Sequence, residues 1–493
     1  MKDDASVPVP RAPLRALYAA RSRVWLKIGT RFLPFADVAS AELPLSRLLR
    51  LSLFQVSVGM ALVMLTGTLN RVMIVELSVP AALVAAMVAL PVLFAPFRML
   101  IGFRSDHRRS ALGWRRVPYL WMGTLLQFGG LAILPFALIL LSGDTRAPAV
   151  VGQAGAAVAF LLLGLGLHTT QTAGLALATD LAPARLRARV VPLLYVMLLL
   201  GMVISAVVFG LLLANFSPLR LIQVIQGAAV ATVVLNVVAL WKQEARVPCT
   251  AAQVAEPRPR FGERLSSLFA LGAGAPRRLM LTVALGTAGL SMQDILLEPY
   301  GAQVMGMGVG ATTMLTALQA AGMLAGFALS ARMLGRGFDA HRLAAVGALL
   351  GLVAFSLLTF SAPLRAGSLL VAAAFMIGAG AGLFSVGTLT ATMALDAGHE
   401  NGLALGVWGA VQATAAGVGI AGGGFIRDLC SAMAVNGALG EALADPATGY
   451  LIVYHLEVLL LFVALVAIGP LARHAKAKPV DADRRFGLQQ FPG

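Results

Sequence analysis

Charged residues are scarce in this sequence, and acidic residues are the scarcer of the two signs. Only 12% of the 493 residues are charged and 59% are hydrophobic, whereas soluble globular domains carry about 25% charged residues. The 22 acidic residues face 38 basic ones, which gives a formal net charge of +16. A composition this poor in charge excludes a soluble globular protein and predicts a polytopic membrane protein.

Cysteines and enzyme motifs are also scarce. The two cysteines, Cys249 and Cys430, are predicted on opposite sides of the membrane, so we do not expect a disulfide, and neither has neighbours spaced as metal ligands. No Walker loop or Gly-x-Ser-x-Gly motif occurs, and His399–Glu400 lacks the second histidine of a zinc motif. The sequence therefore predicts a protein that is not an enzyme and has no intrinsic cofactor or metal.

Long apolar runs are what the sequence has instead. Twelve of them are about 20 residues long, the length that a membrane-spanning helix needs, and the most polar interior stretch divides them six and six. This layout predicts an all-α fold of the major facilitator type, with 12 transmembrane helices in two six-helix pseudo-repeats. The predicted parts are an arm (1–47), the N-terminal half (48–241), a linker (242–278), the C-terminal half (279–471) and a tail (472–493).

The basic residues are distributed unevenly across these runs. If the N-terminus is cytoplasmic, 33 of the 38 lysines and arginines fall on the cytoplasmic side, which is a strong positive-inside signal. Both termini are therefore predicted to be cytoplasmic. The positive charge indicates contact with anionic membrane lipids rather than nucleic acid. Residues 14–32 of the arm have one apolar face, typical of an interfacial helix or of a helix that docks a partner.

Two carboxylates lie in the stretch "GLSMQDILLEPYG", near the far end of the seventh run. Asp294 and Glu298 are four residues apart and share a helical face. A similar stretch in the first run places Glu76 opposite Glu298 and the pair Asn70–Arg71 near Gln293. We expect Asp294 and Gln293 to line a central cavity as candidates for binding pigment or substrate, or to face a partner. The alternative for Asp294 is a polar cap at the outer membrane surface. Glu76 and Glu298 are predicted outer carboxylates, with Glu298 exposed at the membrane surface.

The loop after the second run reads "GFRSDHRRSALGWRR". Its pattern partly matches the loop with which major facilitators close their cytoplasmic side, since an Asp there accepts hydrogen bonds from a helix N-terminus or an arginine. The alternative is a loop whose basic residues only set the topology. The residues assigned to this gate, with two from "ATDLAPARLRARV" after the fourth run, are Gly102, Asp106, Gly113, Arg115, Arg116, Asp180 and Arg185.

The fourth run contains "HTTQT", with His168 and Gln171 well inside the span. Ionisable residues at this depth face a bundle interior or a cavity. A neutral imidazole can ligate a metal, including the magnesium of a chlorin, or take part in an interhelical hydrogen bond. We assign His168, Gln171 and Gln127 of the third run to one polar lining that binds pigment or substrate.

Several stretches together resemble the PucC/LhaA family, the bacteriochlorophyll delivery branch of the major facilitators. They are "GTLNRVMIVEL", "FRSDHRRSALGWRRVPYLWMGTLLQFGG", "HTTQTAGLALATDLAPARLRARV" and "MQDILLEPYG". The long arm and basic tail are more similar to the LhaA-like members, which serve the core antenna. The resemblance covers all twelve runs.

The resemblance implies a factor that assembles light-harvesting complexes in the cytoplasmic or intracytoplasmic membrane of a phototrophic bacterium. Such a factor delivers bacteriochlorophyll to newly inserted antenna polypeptides, or holds those polypeptides. The implied cargo is bacteriochlorophyll, and the implied partners are the antenna polypeptides and the machinery of pigment synthesis and membrane insertion. His168 is then a candidate ligand of the chlorin magnesium. Two alternatives remain: a proton-coupled transporter of small solutes, and a scaffold that binds antenna helices without pigment.

Overall fold

The computed structural model describes residues 44–93, 101, 114–142, 148–182, 187–244, 275–395, 401–445 and 447–474. The predicted interfacial helix at 14–32 lies outside these residues. So do the linker from residue 245 to 274 and the tail beyond residue 474. Of the predicted gate loop, only its last three residues are described.

The described chain is almost entirely helical, and the predicted all-α class is confirmed. In the N-terminal half the α-helices are α1 (Leu45–Leu51), α2 (Leu53–Val63), α3 (Leu69–Arg71), α4 (Ala81–Leu93), α5 (Val117–Leu141), α6 (Ala149–Leu181), α7 (Arg187–Leu212) and α8 (Pro218–Leu240). Two π-helical segments, Met64–Thr68 and Val72–Glu76, flank α3, so that α1 to Glu76 form one continuous rod.

The C-terminal half has α9 (Ala275–Ser291), α10 (Leu297–Gln303), α11 (Val309–Gly335), α12 (Ala340–Ser361), α13 (Gly367–Leu395), α14 (Asn401–Val435) and α15 (Thr448–His474), with a 3-10 segment Met292–Ile295 between α9 and α10. Among the described residues, ten helices are long and apolar enough to cross a membrane, and there are eleven if the bent pair α9–α10 forms one span. The protein is an integral membrane protein, and the count of twelve spans stays a prediction.

Glycines allow close packing of neighbouring helices in each half. A Cβ atom on Gly130 of α5 would lie 2.7 Å from the carbonyl oxygen of Ala159 of α6. In the second half, a Cβ atom on Gly387 of α13 would lie 2.5 Å from the backbone nitrogen of Ala344 of α12. Membrane helices associate through such backbone approaches because lipid supplies no hydrophobic driving force between them.

Buried polar side chains bond across helices in the first half. Ser57 of α2 donates to Asn236 Oδ1 of α8 at 2.9 Å. The amide of Asn236 donates in turn to Thr124 of α5 at 2.9 Å. All three residues are fully buried, so the bonds satisfy groups that lipid would leave without a partner.

The two halves meet at one end of the bundle, opposite the end where α1 starts and α15 finishes. We call these the seam end and the termini end. Three hydrogen bonds between described residues join the halves, and all lie at the seam end. They are Thr68 with Thr313 (3.4 Å), Arg71 with the Met307 carbonyl (3.5 Å), and the Ala82 amide with Asp428 (2.7 Å).

Candidate functional site

The stretch "GLSMQDILLEPYG" forms a broken helix. Regular α-helix ends at Ser291, a 3-10 turn covers Met292–Ile295, and α10 leaves at an angle of 41° to α9. Pro299 gives the local cause, since its ring crowds the carbonyl four residues earlier, at Ile295, and has no N–H to donate to it. The break therefore exposes backbone groups inside the membrane-spanning region, and they need partners.

Glu457 of α15 supplies one of those partners. Its Oε1 accepts the backbone N–H of Gln293 at 2.7 Å, and the side chain is fully buried. Glu457 Oε2 has no partner among the described residues. The sequence-based assignment missed this residue. Its signal was a single acidic residue in the apolar run of α15, "TGYLIVYHLEVLLL".

Asp294 lies beside this contact and is only partly buried. Its Oδ1 accepts hydrogen bonds from the amide of Gln293 at 2.6 Å and from the amide of Gln319 of α11 at 3.3 Å. Gln293 is itself fully buried. The structure therefore brings the predicted pair Gln293 and Asp294 together with Glu457, a carboxylate 164 residues from Gln293 in the chain.

Glu298 is 2% exposed, so the expectation that it is exposed at the membrane surface is wrong. Its Oε1 accepts a hydrogen bond from the Thr316 hydroxyl at 2.5 Å. Gly67, in the first π-helical segment, lies against the same carboxylate, and a Cβ atom there would be 2.6 Å from Oε1. The bend at residues 292–295 and the close approach of the first rod turn Glu298 into the seam.

Glu76 has a different environment, although the repeat pairs it with Glu298. It forms an ion pair with Arg71 at 2.5 Å, in which the arginine side chain is 5% exposed and the glutamate 37%. Arg71 also reaches the Met307 carbonyl across the seam. The internal repeat therefore predicts the level of these carboxylates along the helices but not their burial.

His168 and Gln127 do not form one polar lining. The Gln127 amide donates to Thr170 of α6 at 2.8 Å, on the side where α6 packs on α5. His168 precedes Thr170 by two residues, which places the two side chains about 200° apart around the axis of α6. It lies one turn from Gly164, which packs on Pro91 of α4. His168 is partly buried and Gln171 is 7% exposed, and at a spacing of three residues these two of the predicted trio share a face of α6.

A cluster of charged residues lies at the termini end of the first half. Arg115 and Arg116 both bind Asp180 Oδ2, at 2.7 and 3.0 Å. The Glu244 carboxylate accepts the backbone N–H groups of Arg115, Arg116 and Val117 at 2.8 to 3.1 Å. These donors have no partner within the helix, and a carboxylate also matches the positive end of the helix dipole.

This cluster connects α5, α6 and the chain after α8, all within one half. The structure thus brings together three of the predicted gate residues and adds Glu244, which the sequence placed in the linker. The other four assigned residues, Gly102, Asp106, Gly113 and Arg185, lie outside the described residues. A clasp between the halves at this end stays a prediction.

Comparison with known proteins agrees with this fold and with the family resemblance. A family model described as "PUCC protein" matches residues 68–476. "Uncharacterized protein in puhA-bchM intergenic region" of Rhodobacter capsulatus is 56% identical over 469 residues, which is 94% of this chain and 98% of the relative. "Protein PucC" of Rhodovulum sulfidophilum is 60% identical over 406 residues, 81% of this chain and 89% of the relative.

A more distant relative and a solved structure add to this. "Bacteriochlorophyll synthase 44.5 kDa chain" of Rhodobacter capsulatus is 30% identical over 446 residues, 88% of this chain and 97% of the relative. The crystal structure of a D-xylose-proton symporter is similar with a TM-score of 0.63 at 16% identity, covering 85% of this chain and 96% of that one. The structural likeness confirms the major-facilitator-type fold, and the family model with the curated relatives shows that the chain belongs to the PucC protein family.

Proposed function

We propose that this protein assembles light-harvesting complexes by delivering bacteriochlorophyll to newly inserted antenna polypeptides, or by holding those polypeptides. The observation that carries the proposal is family membership over most of the chain. It is supported by a relative of nearly full coverage that is named as a bacteriochlorophyll synthase chain. The resemblance to LhaA-like members favours the core antenna as the client.

The described helices support a pigment-handling role through His168 and Gln171 of α6. His168 is partly buried within the span, and Gln171, three residues on, lies toward the same side. An imidazole nitrogen is a suitable axial ligand for the magnesium of bacteriochlorophyll, which would be bound as cargo. The partners that we propose are antenna polypeptides, membrane lipids and the machinery of pigment synthesis and membrane insertion.

The test is purification in mild detergent from cells that cannot make antenna polypeptides, followed by an absorption spectrum. Bacteriochlorophyll bound in about equimolar amount supports delivery. A pigment-free protein that captures antenna polypeptides from a membrane extract supports the scaffold alternative. Failure to bind either one contradicts the proposal.

A second function, proton-coupled transport of a small solute, is favoured by a separate observation. Asp294, Glu298 and Glu457 place three carboxylic acids within the spanning part of α10, α15 and the broken segment. Carboxylates at this depth mark proton relays in other transporters. Asp294→Asn should abolish pH-dependent solute uptake if the protein is a proton-coupled transporter. For an assembly factor, we expect the same variant, and Glu298→Gln, to leave antenna assembly largely intact.

A further inference from the structure

A cleft of about 490 Å³ lies between α9 and α15 at the termini end, outside the site described above. Its walls are apolar except at the rim nearest the termini end. They are formed by Leu281 and Leu285 of α9 and by Val463, Val466 and Ala467 of α15. Arg277 and Arg278 line the rim. Cavities that hold small ligands commonly have volumes of about 300–1,000 Å³.

The two arginines are placed where a helix does not favour them. They lie in the first turn of α9, which contains no acidic residue. The start of a helix carries positive partial charge, which repels cations. Both side chains are exposed, and neither forms an ion pair with another described residue. An anion bound here would neutralise two guanidinium groups together with the helix start.

The apolar walls continue from the arginines toward the middle of the membrane. Leu285 lies eight residues beyond Arg277, which is about 12 Å along a helix axis. Leu281 is 52% exposed, Val463 42% and Val466 76%, so the cleft opens sideways toward the lipid. Its occupant therefore needs an anionic group at the membrane surface and an apolar chain that runs down between two helices.

We propose that this cleft is a binding site for one anionic phospholipid. Arg277 and Arg278 bind the phosphate, for which paired guanidinium groups have a suitable geometry. The α9–α15 walls hold one acyl chain. An acidic soluble peptide would match the arginines but not the lateral apolar walls, and a neutral phospholipid would match the walls but carry no net negative charge. This proposal is independent of the proposed function.

The experiment is native mass spectrometry of the full-length protein, delipidated in detergent and titrated with phosphatidylglycerol or phosphatidylcholine. The wild-type protein should retain one phosphatidylglycerol with clear preference over phosphatidylcholine. The double variant Arg277→Gln with Arg278→Gln should lower the apparent affinity for phosphatidylglycerol about tenfold or more, since two charge-assisted bonds are lost. Equal retention by this variant, or equal binding of both lipids, would overturn the proposal.

Two further variants separate the charge from the cleft. The matched control is Arg332→Gln with Arg336→Gln, which removes two exposed arginines near the end of α11, also at the termini end. It should bind phosphatidylglycerol as the wild type does. Leu285→Trp keeps every charge but fills the cleft, and it should also weaken binding. Normal binding by Leu285→Trp, or full displacement of the lipid by glycerol phosphate, would show that the walls hold no chain and would contradict the proposal.

Discussion

Two polar residues inside the spans, His168 and Glu457, differ in their surroundings. His168 begins the polar stretch "HTTQT" inside the α6 span, and its side chain is partly buried. Glu457 is fully buried and has one defined donor, the Gln293 N–H. We propose a ligand-binding role for His168, whereas Glu457 accepts a backbone N–H at the break between α9 and α10.

His168→Leu should lower the amount of bacteriochlorophyll that co-purifies, and the antenna yield in cells, while the protein level stays near normal. Leucine is of similar size to histidine but lacks the nitrogen that would ligate magnesium. Gln127→Leu serves as the control, because Gln127 bonds to Thr170 on another side of α6. Unchanged pigment in His168→Leu would contradict the ligand role, whereas a loss of protein would indicate a structural hydrogen bond instead.

Glu457→Leu should lower the free energy of unfolding by about 1–3 kcal/mol, because it leaves the Gln293 N–H without an acceptor inside the membrane. Glu457→Gln keeps a carbonyl oxygen at that place and should melt close to the wild type. Thermal unfolding in detergent measures both, with the exposed Glu441 changed to Gln as a control. If both substitutions at Glu457 melt alike, the contact does not stabilise the break.

At the level of secondary structure, interruptions and ends of helices position these residues. The 3-10 turn before Pro299 and the π-helical segments beside α3 interrupt two helices that meet at the seam. Such interruptions inside spans are tolerated where other protein groups take up the freed backbone bonds. A helix end at the termini end shows the same need, since α5 begins with three N–H groups that only Glu244 accepts among the described residues.

Glu244→Ala should destabilise the start of α5 by about 0.5–2 kcal/mol, the usual range for loss of a helix cap. Glu244→Gln keeps one acceptor oxygen and should lose less. The readout is the melting temperature, together with the rate at which protease cleaves the chain near residue 114. A melting temperature of Glu244→Ala equal to that of the wild type would show that water replaces the carboxylate without loss.

The whole molecule is held together at the seam end by close approach of the two halves. Gly310 of α11 lies so near to α7 that a Cβ atom there would be 2.5 Å from the Gly210 carbonyl oxygen and 2.9 Å from Ala214 Cα. Contacts at these distances are repulsive, and both neighbours are backbone atoms that cannot rotate away. Any side chain at Gly310 should therefore force the halves apart at this end.

Gly310→Val should reduce a disulfide crosslink across the seam several-fold. The crosslink joins cysteines at positions 68 and 313, whose native hydroxyl groups are 3.4 Å apart, in a protein with Cys249 and Cys430 changed to serine. Gly308→Val is the matched control, because no atom lies within 4 Å of a Cβ atom built there. Equal crosslinking in the two variants would show that α7 and α11 are not closely packed in the membrane.

Hydropathy and charge in the sequence by themselves determined the membrane class, the all-α architecture and the placement of polar residues within the spans. The sequence motifs predicted the protein family. These features are local in the chain, since a span is defined by about 20 consecutive residues. Local pattern also found Asp294, Glu298 and His168 as residues that need a partner.

Only the tertiary structure decided which polar groups meet. Gln293 and Glu457 are 164 residues apart, and Glu298 is buried because Gly67 of the other half lies against it. The division of Gln127 from His168 depends on which neighbour each face of α6 packs against. Periodicity gives the face of a helix but not the helix opposite it, because that choice depends on packing of segments far apart in the chain.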